Sequence, residues 1–380
     1  MPEREVSYVW VDDPKGLRAA VTSISSSARL GVDTEADSRH HYPEKTCLIQ
    51  VVADDRVFII DPLVAIDIGE LREVFESPRV EKIFHGADFD LRGLNRDWGF
   101  ELQAVYDTNT GARFAGLDRF GYAALIEDLL GHVIAKDQRL QRSDWSKRPL
   151  PEAALEYAAA DVIYLGEVRD AIDERVAKLG RSAWVAEELQ RLEQIRYTPP
   201  DPDSAYLAVR GSHKLNGRGL AVLKALWILR EGEARRLDRP TAFVISAEAL
   251  VAIATEPEID LAEVKGLGEQ TRRRLGLAIA RAVKEGLAAG PLRRPPGRTP
   301  FRPRPSASEA AVLARLKEWR VAEGEKLAMD PSLLWPMRSL ERLARAPQTV
   351  DEELVSPDIR RWQRTQFEAA VRATLASFAP

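Results

Sequence analysis

Leu30-Gly31-Val32-Asp33-Thr34-Glu35 reads as a strand that ends in two carboxylates flanking a threonine. Residues two apart on a strand share a face, so Asp33 and Glu35 project together. Two ionised carboxylates side by side repel each other unless a cation lies between them. Hard divalent ions such as Mg²⁺ and Mn²⁺ favour oxygen ligands of this kind. Seen alone, an Asp-x-Glu is more often a turn cap beside a solvated acid, so the reading depends on what surrounds it.

The surrounding pattern is that of an α/β domain. A helix over residues 17–27 leads into the Asp33 strand, and strands over 46–53 and 56–61 follow, joined at Asp54-Asp55 as an antiparallel hairpin. Helices are expected over 66–75, 88–96, 109–115, 122–130 and, as one long element, 152–178, with strands over 80–85 and 102–106. Three antiparallel strands followed by alternating helices and strands make a mixed sheet with helices on both faces.

Two further acidic positions fall at informative places. In Phe84-His85-Gly86-Ala87-Asp88-Phe89-Asp90 a strand gives way to a helix. Asp88 suits the helix cap, and Asp90 lies in the first turn, where the helix dipole favours an acid. In Tyr157-Ala158-Ala159-Ala160-Asp161, Tyr157 and Asp161 are four apart on a helix and share a face. The small alanines between them let other groups approach closely.

Asp-x-Glu, then Asp90, then Tyr-x-x-x-Asp is similar to the DEDDy pattern of 3′→5′ exonucleases. The residues around each motif make the chain resemble the ribonuclease D family. The segment 136–150, including Lys136, Arg139, Trp145 and Arg148-Pro149-Leu150, resembles that family's approach to the last motif, and Thr34, His85, Gln50 and Asp107-Thr108 also fit its positions. The resemblance implies a ribonuclease H-like exonuclease domain and two divalent metal ions, Mg²⁺ or Mn²⁺. It implies that Asp33 bridges both ions, that Glu35 and Asp161 complete one site, that Asp90 helps hold the other, and that Tyr157 orients the attacking water. Candidate contacts to the 3′ end are Thr34, His85 and Phe89, with Lys136 and Arg139 as candidate phosphate contacts.

Beyond Tyr197-Thr198-Pro199-Pro200, a break of linker composition, the chain turns helical and repeats itself. Val222-Leu223-x-x-Leu226-x-x-x-Arg230-x-x-Glu233-x-x-x-Leu237 recurs ninety residues later as Val312-Leu313-x-x-Leu316-x-x-x-Arg320-x-x-Glu323-x-x-x-Leu327. The first copy resembles the HRDC domain, a small all-α nucleic-acid-binding module. The organisation expected is an exonuclease domain over 1–204, an HRDC domain over 205–289, a Pro/Arg-rich linker over 290–306 and a diverged HRDC-like domain over 307–380.

Composition bounds the partners. The 380 residues carry 55 basic and 59 acidic side chains, a net charge of −4, so any nucleic-acid surface must be local. Arg272-Arg273-Arg274, Arg281, Lys284, Arg293-Arg294, Arg298, Arg302 and Arg304 form such a stretch. The single cysteine, Cys47, sits in an apolar strand and excludes an internal disulfide or a cysteine zinc site. No apolar run reaches a membrane span, and the polar start is unlike a signal peptide. A cytoplasmic location is expected, with no membrane and no obligate protein partner.

The resemblance implies an enzyme that trims RNA with a single-stranded 3′ end, tRNA precursors and other small structured RNAs foremost, and releases nucleoside 5′-monophosphates. Two other readings use the same residues: a DNA 3′→5′ exonuclease of the same superfamily, and an RNA-binding protein without catalysis. Two HRDC copies and no helicase motif favour RNA over DNA. The five intact motif residues favour catalysis.

Overall fold

The computed structural model describes residues 7–134, 137–295 and 305–378. Lys136, Arg298, Arg302 and Arg304 lie outside the described residues. The N-terminal part runs β1 (Tyr8–Val11), α1 (Pro14–Ser25), β2 (Arg29–Ala36), β3 (Thr46–Ala53), β4 (Arg56–Ile60), α2 (Arg72–Phe75), β5 (Glu81–Phe84), α3 (Asp88–Trp98) and β6 (Val105–Asp107). Helices α4 (Thr108–Phe114), α5 (Tyr122–Leu130), α6 (Gln138–Gln141), α7 (Glu152–Ala160), α8 (Leu165–Lys178) and α9 (Ser182–Leu192) follow.

The strands form one mixed sheet in the order β1-β4-β3-β2-β5-β6. The β2–β3–β4 meander is antiparallel, as the sequence predicts, while β5 and β6 run parallel to β2. β1 was not foreseen. Its four residues pair in parallel with β4 at the sheet edge, too short a run to stand out as a strand.

β2 is buried on both faces, and its alternation sorts side chains between two cores. Leu30 and Val32 face the layer that contains Leu17, Ile24, Leu91 and Leu94 of α1 and α3. Gly31, Asp33 and Glu35 face the other layer, where Ala158, Val162, Leu165 and Ile172 pack over Leu48, Val52 and Ile59. Cys47 is buried in that core, in accord with its apolar strand.

The long helix expected over 152–178 is two helices. α7 ends at Ala160, Asp161 caps it, and α8 starts at Leu165 after a tightened turn in which Val162 donates to the Ala159 carbonyl. The break sits on Gly31. A Cβ built there would lie 2.6 Å from Val52 Cγ1 and 3.1 Å from both Leu165 Cβ and the Val162 carbonyl oxygen. Only a residue without a side chain lets the α7–α8 junction rest on the strand. The helix start near Asp88 also differs from expectation. Ala87 is the cap, and Asp88 instead pairs with Arg92 one turn on.

The repeat appears in the backbone. α10 (Gly217–Leu237), α11 (Thr241–Val244), α12 (Ala247–Thr255) and α13 (Glu269–Ala288) form the first helical unit. α14 (Ala307–Leu327), α15 (Pro331–Leu334) and α16 (Met337–Arg345) recur ninety residues on, before α17 (Val350–Leu354) and α18 (Arg361–Ala376). Asp238 and Ala328 both end their long helix in the left-handed region, at φ 49 and 46°. The units dock differently. The second shares an apolar core with the sheet domain, with Trp362 stacked on Trp184 at 4.8 Å and edge-on to Phe114. The first meets the β2–β3 loop through polar groups: Tyr42 donates to Glu231, and Asp238 accepts from His41 and from the Tyr42 amide.

Gly31→Ala is expected to lower the unfolding free energy by about 1–3 kcal/mol through overpacking. Gly166→Ala, whose Cβ would meet nothing nearer than 3.8 Å, is expected to leave stability unchanged or raise it by about 0.4–1 kcal/mol. Urea denaturation of the two variants beside the parent chain measures both.

Candidate active site

Asp33, Glu35 and Asp161 come together. One carboxylate oxygen from each lies within 4.8 Å of the others. Period-two alternation on β2 supplies the first two, and the C-terminus of α7 supplies the third. They line a cleft of about 320 Å³ with His85, Tyr122, Ile134, Gln141, Tyr157 and Leu165.

Asp90 is not one of the acids that line the cleft; it lies in the other layer, and its charge bears on Asp33. It is buried in the first turn of α3, and the Thr34 hydroxyl donates to its Oδ1 at 2.6 Å. Thr34 points away from Asp33 and Glu35, so its hydroxyl supports a carboxylate from behind.

The electrostatics are those of crowded acids in a poorly solvated place. Burial, then the charges of Asp90, Asp161 and Glu35, push the Asp33 carboxyl well above the usual carboxylate range. Burial, Asp161 and Asp90 do the same to Glu35. Burial pushes Asp90 up to about 7, against the pull of the Thr34 hydroxyl. Such a group either takes up protons or holds cations. The donor set is all carboxylate oxygen, which fits Mg²⁺ or Mn²⁺.

Tyr157 is half-buried, with its hydroxyl beside Asp161 and Glu35. Burial and those two carboxylates raise its pKa further above the ordinary phenol value, so it stays protonated.

His85 lies at the end of β5, and its Nδ1 sits 3.0 Å from the Thr108 hydroxyl, which donates onward to the Phe84 carbonyl. Thr108 therefore accepts, and Nδ1 carries the hydrogen. The ring lies 5.4 Å from Tyr122. Phe89 is 47% exposed on α3 and does not line the cleft. Arg139 is exposed on α6, where Gln141, not foreseen, faces the cleft. On α13, outside the cleft lining, Arg272 bonds the Leu267 carbonyl, Arg273 pairs with Glu269, and Arg274 is exposed.

Three supporting residues were given no role by the sequence reading. Tyr122 is buried in the cleft wall, its hydroxyl pushed up by burial and by Asp161 and Asp33. Arg148 donates to Asp61 through both arms and to the Cys47 carbonyl at 2.8 Å, which ties the segment before α7 onto β3 and β4. His41 bonds Ser146 at 2.9 Å as well as Asp238, and so links that segment to the first helical unit. The only local signal was for Arg148, which stands in a stretch already singled out.

Both parts of the chain have counterparts among known proteins. A family model described as 3′-5′ exonuclease matches residues 8–177, and one described as HRDC domain matches residues 219–283. The chain is 33% identical to a protein named Ribonuclease D from Gluconacetobacter diazotrophicus, over 94% of this chain and 90% of that one. It is 30% identical to another of that name from Pseudomonas paraeruginosa, over 97% of each. In fold it is similar to Escherichia coli RNase D, described as an exoribonuclease involved in structured RNA processing. That likeness has a TM-score of 0.75 at 22% identity and covers 98% of this chain and 100% of that one.

The raised carboxyls carry a stability consequence. Below about pH 4 the acids are protonated in both folded and unfolded chains. As pH rises, the unfolded chain releases its protons first, so the metal-free fold loses stability until the cleft has titrated, near pH 7 for Asp90. Asp33→Asn is expected to raise the melting temperature of the metal-free protein at pH 7.5 by a few degrees. Mg²⁺ is expected to raise that of the parent chain and not of the variant. Differential scanning fluorimetry with EDTA or Mg²⁺ gives both readings.

Proposed function

The chain belongs to the ribonuclease D family, and from that premise we propose that it removes nucleotides one at a time from RNA 3′ ends. The substrates proposed are tRNA precursors and other small structured RNAs, and the products nucleoside 5′-monophosphates. The observation that carries this reading is the convergence of Asp33, Glu35 and Asp161 within 4.8 Å, with the protonated Tyr157 beside Asp161. The same residues fit neither a capped turn nor a solvated face.

In this reading Asp33, Glu35 and Asp161 hold two divalent cations, with Asp90 alongside. Cations held there would supply the lowered pKa of a bound water and the stabilisation of the leaving oxygen that an in-line displacement needs. The water oxygen bonds to the phosphorus of the terminal nucleotide. The bond from that phosphorus to the 3′ oxygen of the preceding nucleotide breaks, and a proton passes to the departing oxygen.

Tyr157 positions the water by hydrogen bonding. A phenol held above its ordinary pKa is no base at neutral pH. His85, fixed as a donor toward Thr108, presents an oriented ring at the cleft wall for the terminal nucleotide. Thr34 keeps Asp90 aimed through its hydroxyl. Phe89, Lys136 and Arg139 are proposed as contacts to the entering strand. Arg272, Arg273, Arg274, Arg302 and Arg304 are proposed as contacts to the folded RNA body.

Among the described residues, no helix is long and apolar enough to cross a membrane. A cytoplasmic place of action is proposed, as suits an enzyme of RNA processing.

The test is a time course on a 5′-labelled RNA with a structured body and a short 3′ tail. The expected result is a ladder of single-nucleotide losses with Mg²⁺ or Mn²⁺ that stalls near the body and disappears with EDTA. Asp161→Ala is expected to slow trimming by about 10²–10³-fold or more, and Tyr157→Phe by about 10–100-fold through lost positioning. Retained RNA binding without shortening would overturn hydrolysis in favour of a binding role. Equal trimming of a matched DNA strand would overturn selection for the 2′-hydroxyl.

A further inference from the structure

Gln50 stands directly across from Asp33 in the β2–β3 ladder. Residues opposed in this way project to the same face with Cβ atoms about 4.5–5.5 Å apart, within reach of a glutamine side chain. Its other neighbour in register is Ile59 on β4, and the helix over this face is α7, whose inward side is Ala154, Ala158 and Ala159. Gln50 is completely buried, 0% exposed, yet neither its Oε1 nor its Nε2 has a hydrogen-bond partner. A buried amide left unpaired is costly, and methionine or leucine would fill the same space without that cost. The cost is borne beside the one carboxylate that every other acid of the cleft repels.

We propose that Gln50 is a positioning residue for Asp33. When a divalent cation occupies the cleft, the Nε2 hydrogens of Gln50 donate to the Asp33 carboxylate and fix its rotation, so that its oxygens stay turned toward Glu35 and Asp161. Gln50 touches neither substrate nor the reacting atoms and acts only through Asp33. This role rests on the metal-assisted hydrolase reading above.

The experiment compares the parent chain with Gln50→Met and Gln50→Leu in full-length protein. The first reading is the melting temperature with EDTA. The second is the Mg²⁺ concentration at half-maximal thermal shift. The third is kcat and KM on the tailed RNA. The expected result is a metal-free melting temperature equal to or above the parent's, with a Mg²⁺ midpoint raised about 10–100-fold and a fall in kcat at unchanged KM. A Mg²⁺ midpoint within about twofold of the parent's would overturn the proposal. So would a lowered metal-free melting temperature in both variants, since the amide would then be satisfied in the resting fold. A parent chain that binds Mg²⁺ but trims no RNA would remove the hydrolase reading instead, and the Mg²⁺ midpoint would still decide the role of Gln50.

Discussion

Three carboxylates, Asp33, Glu35 and Asp161, share one poorly solvated cleft, a fourth, Asp90, bears on them from behind β2, and the rest of the structure accommodates that repulsion. Asp33 is pushed upward by every one of its acidic neighbours as well as by burial. What the fold supplies is confinement. Gly31 lets the α7–α8 junction settle on β2, so Asp161 is brought down to the level of Asp33 and Glu35. The alanine face of α7 keeps that approach free of side chains. Buried acids that repel one another join the protonation of this site to the stability of the fold.

The two helical units are tied to the sheet domain by different means. Their long helices end at equivalent left-handed residues, Asp238 and Ala328. In the first unit that residue is an acid, and it holds His41 and the Tyr42 amide. The loop it grips begins just after Glu35, and His41 reaches across to Ser146 in the segment that Arg148 anchors ahead of Tyr157. In the second unit the contact is aromatic, through Trp362 against Trp184 and Phe114. One repeated fold thus serves two purposes. One copy braces the loops beside the acids, and the other extends the core of the sheet domain.

Legibility followed the range of the interaction that decides each feature. The Asp33–Glu35 pairing depends only on strand period, and the ninety-residue repeat only on spacing, so both could be read directly. Tyr157 and Asp161 were placed on one helical face correctly, yet the end of that helix at Asp161 escaped notice. It depends on contact with Gly31, well over a hundred residues away, and the local run of alanines argues for continuation. β1 was missed because four residues at a sheet edge carry little pattern. Tyr122 carries no local signal for the cleft, since it faces it only by virtue of a partner element that folding brings alongside, and Gln50 was marked by the family resemblance without a role.

The position of Asp90 shows why the strand at the centre matters more than any one acid on it. Asp33 and Glu35 face the α7 layer, whereas Asp90 belongs to the α3 layer on the far side of the sheet. The only side chain of the motif pointing that way is Thr34, and its hydroxyl meets Asp90 at 2.6 Å. Three consecutive residues of one strand therefore reach both layers, two as acids and one as the donor that aligns a third acid. A helix bearing the same residues would fan them over about 200° and present no such opposed pair of faces. The alternation of a doubly buried strand is thus what lets two acids line the cleft while a third is held behind them, close enough for its charge to be felt at Asp33.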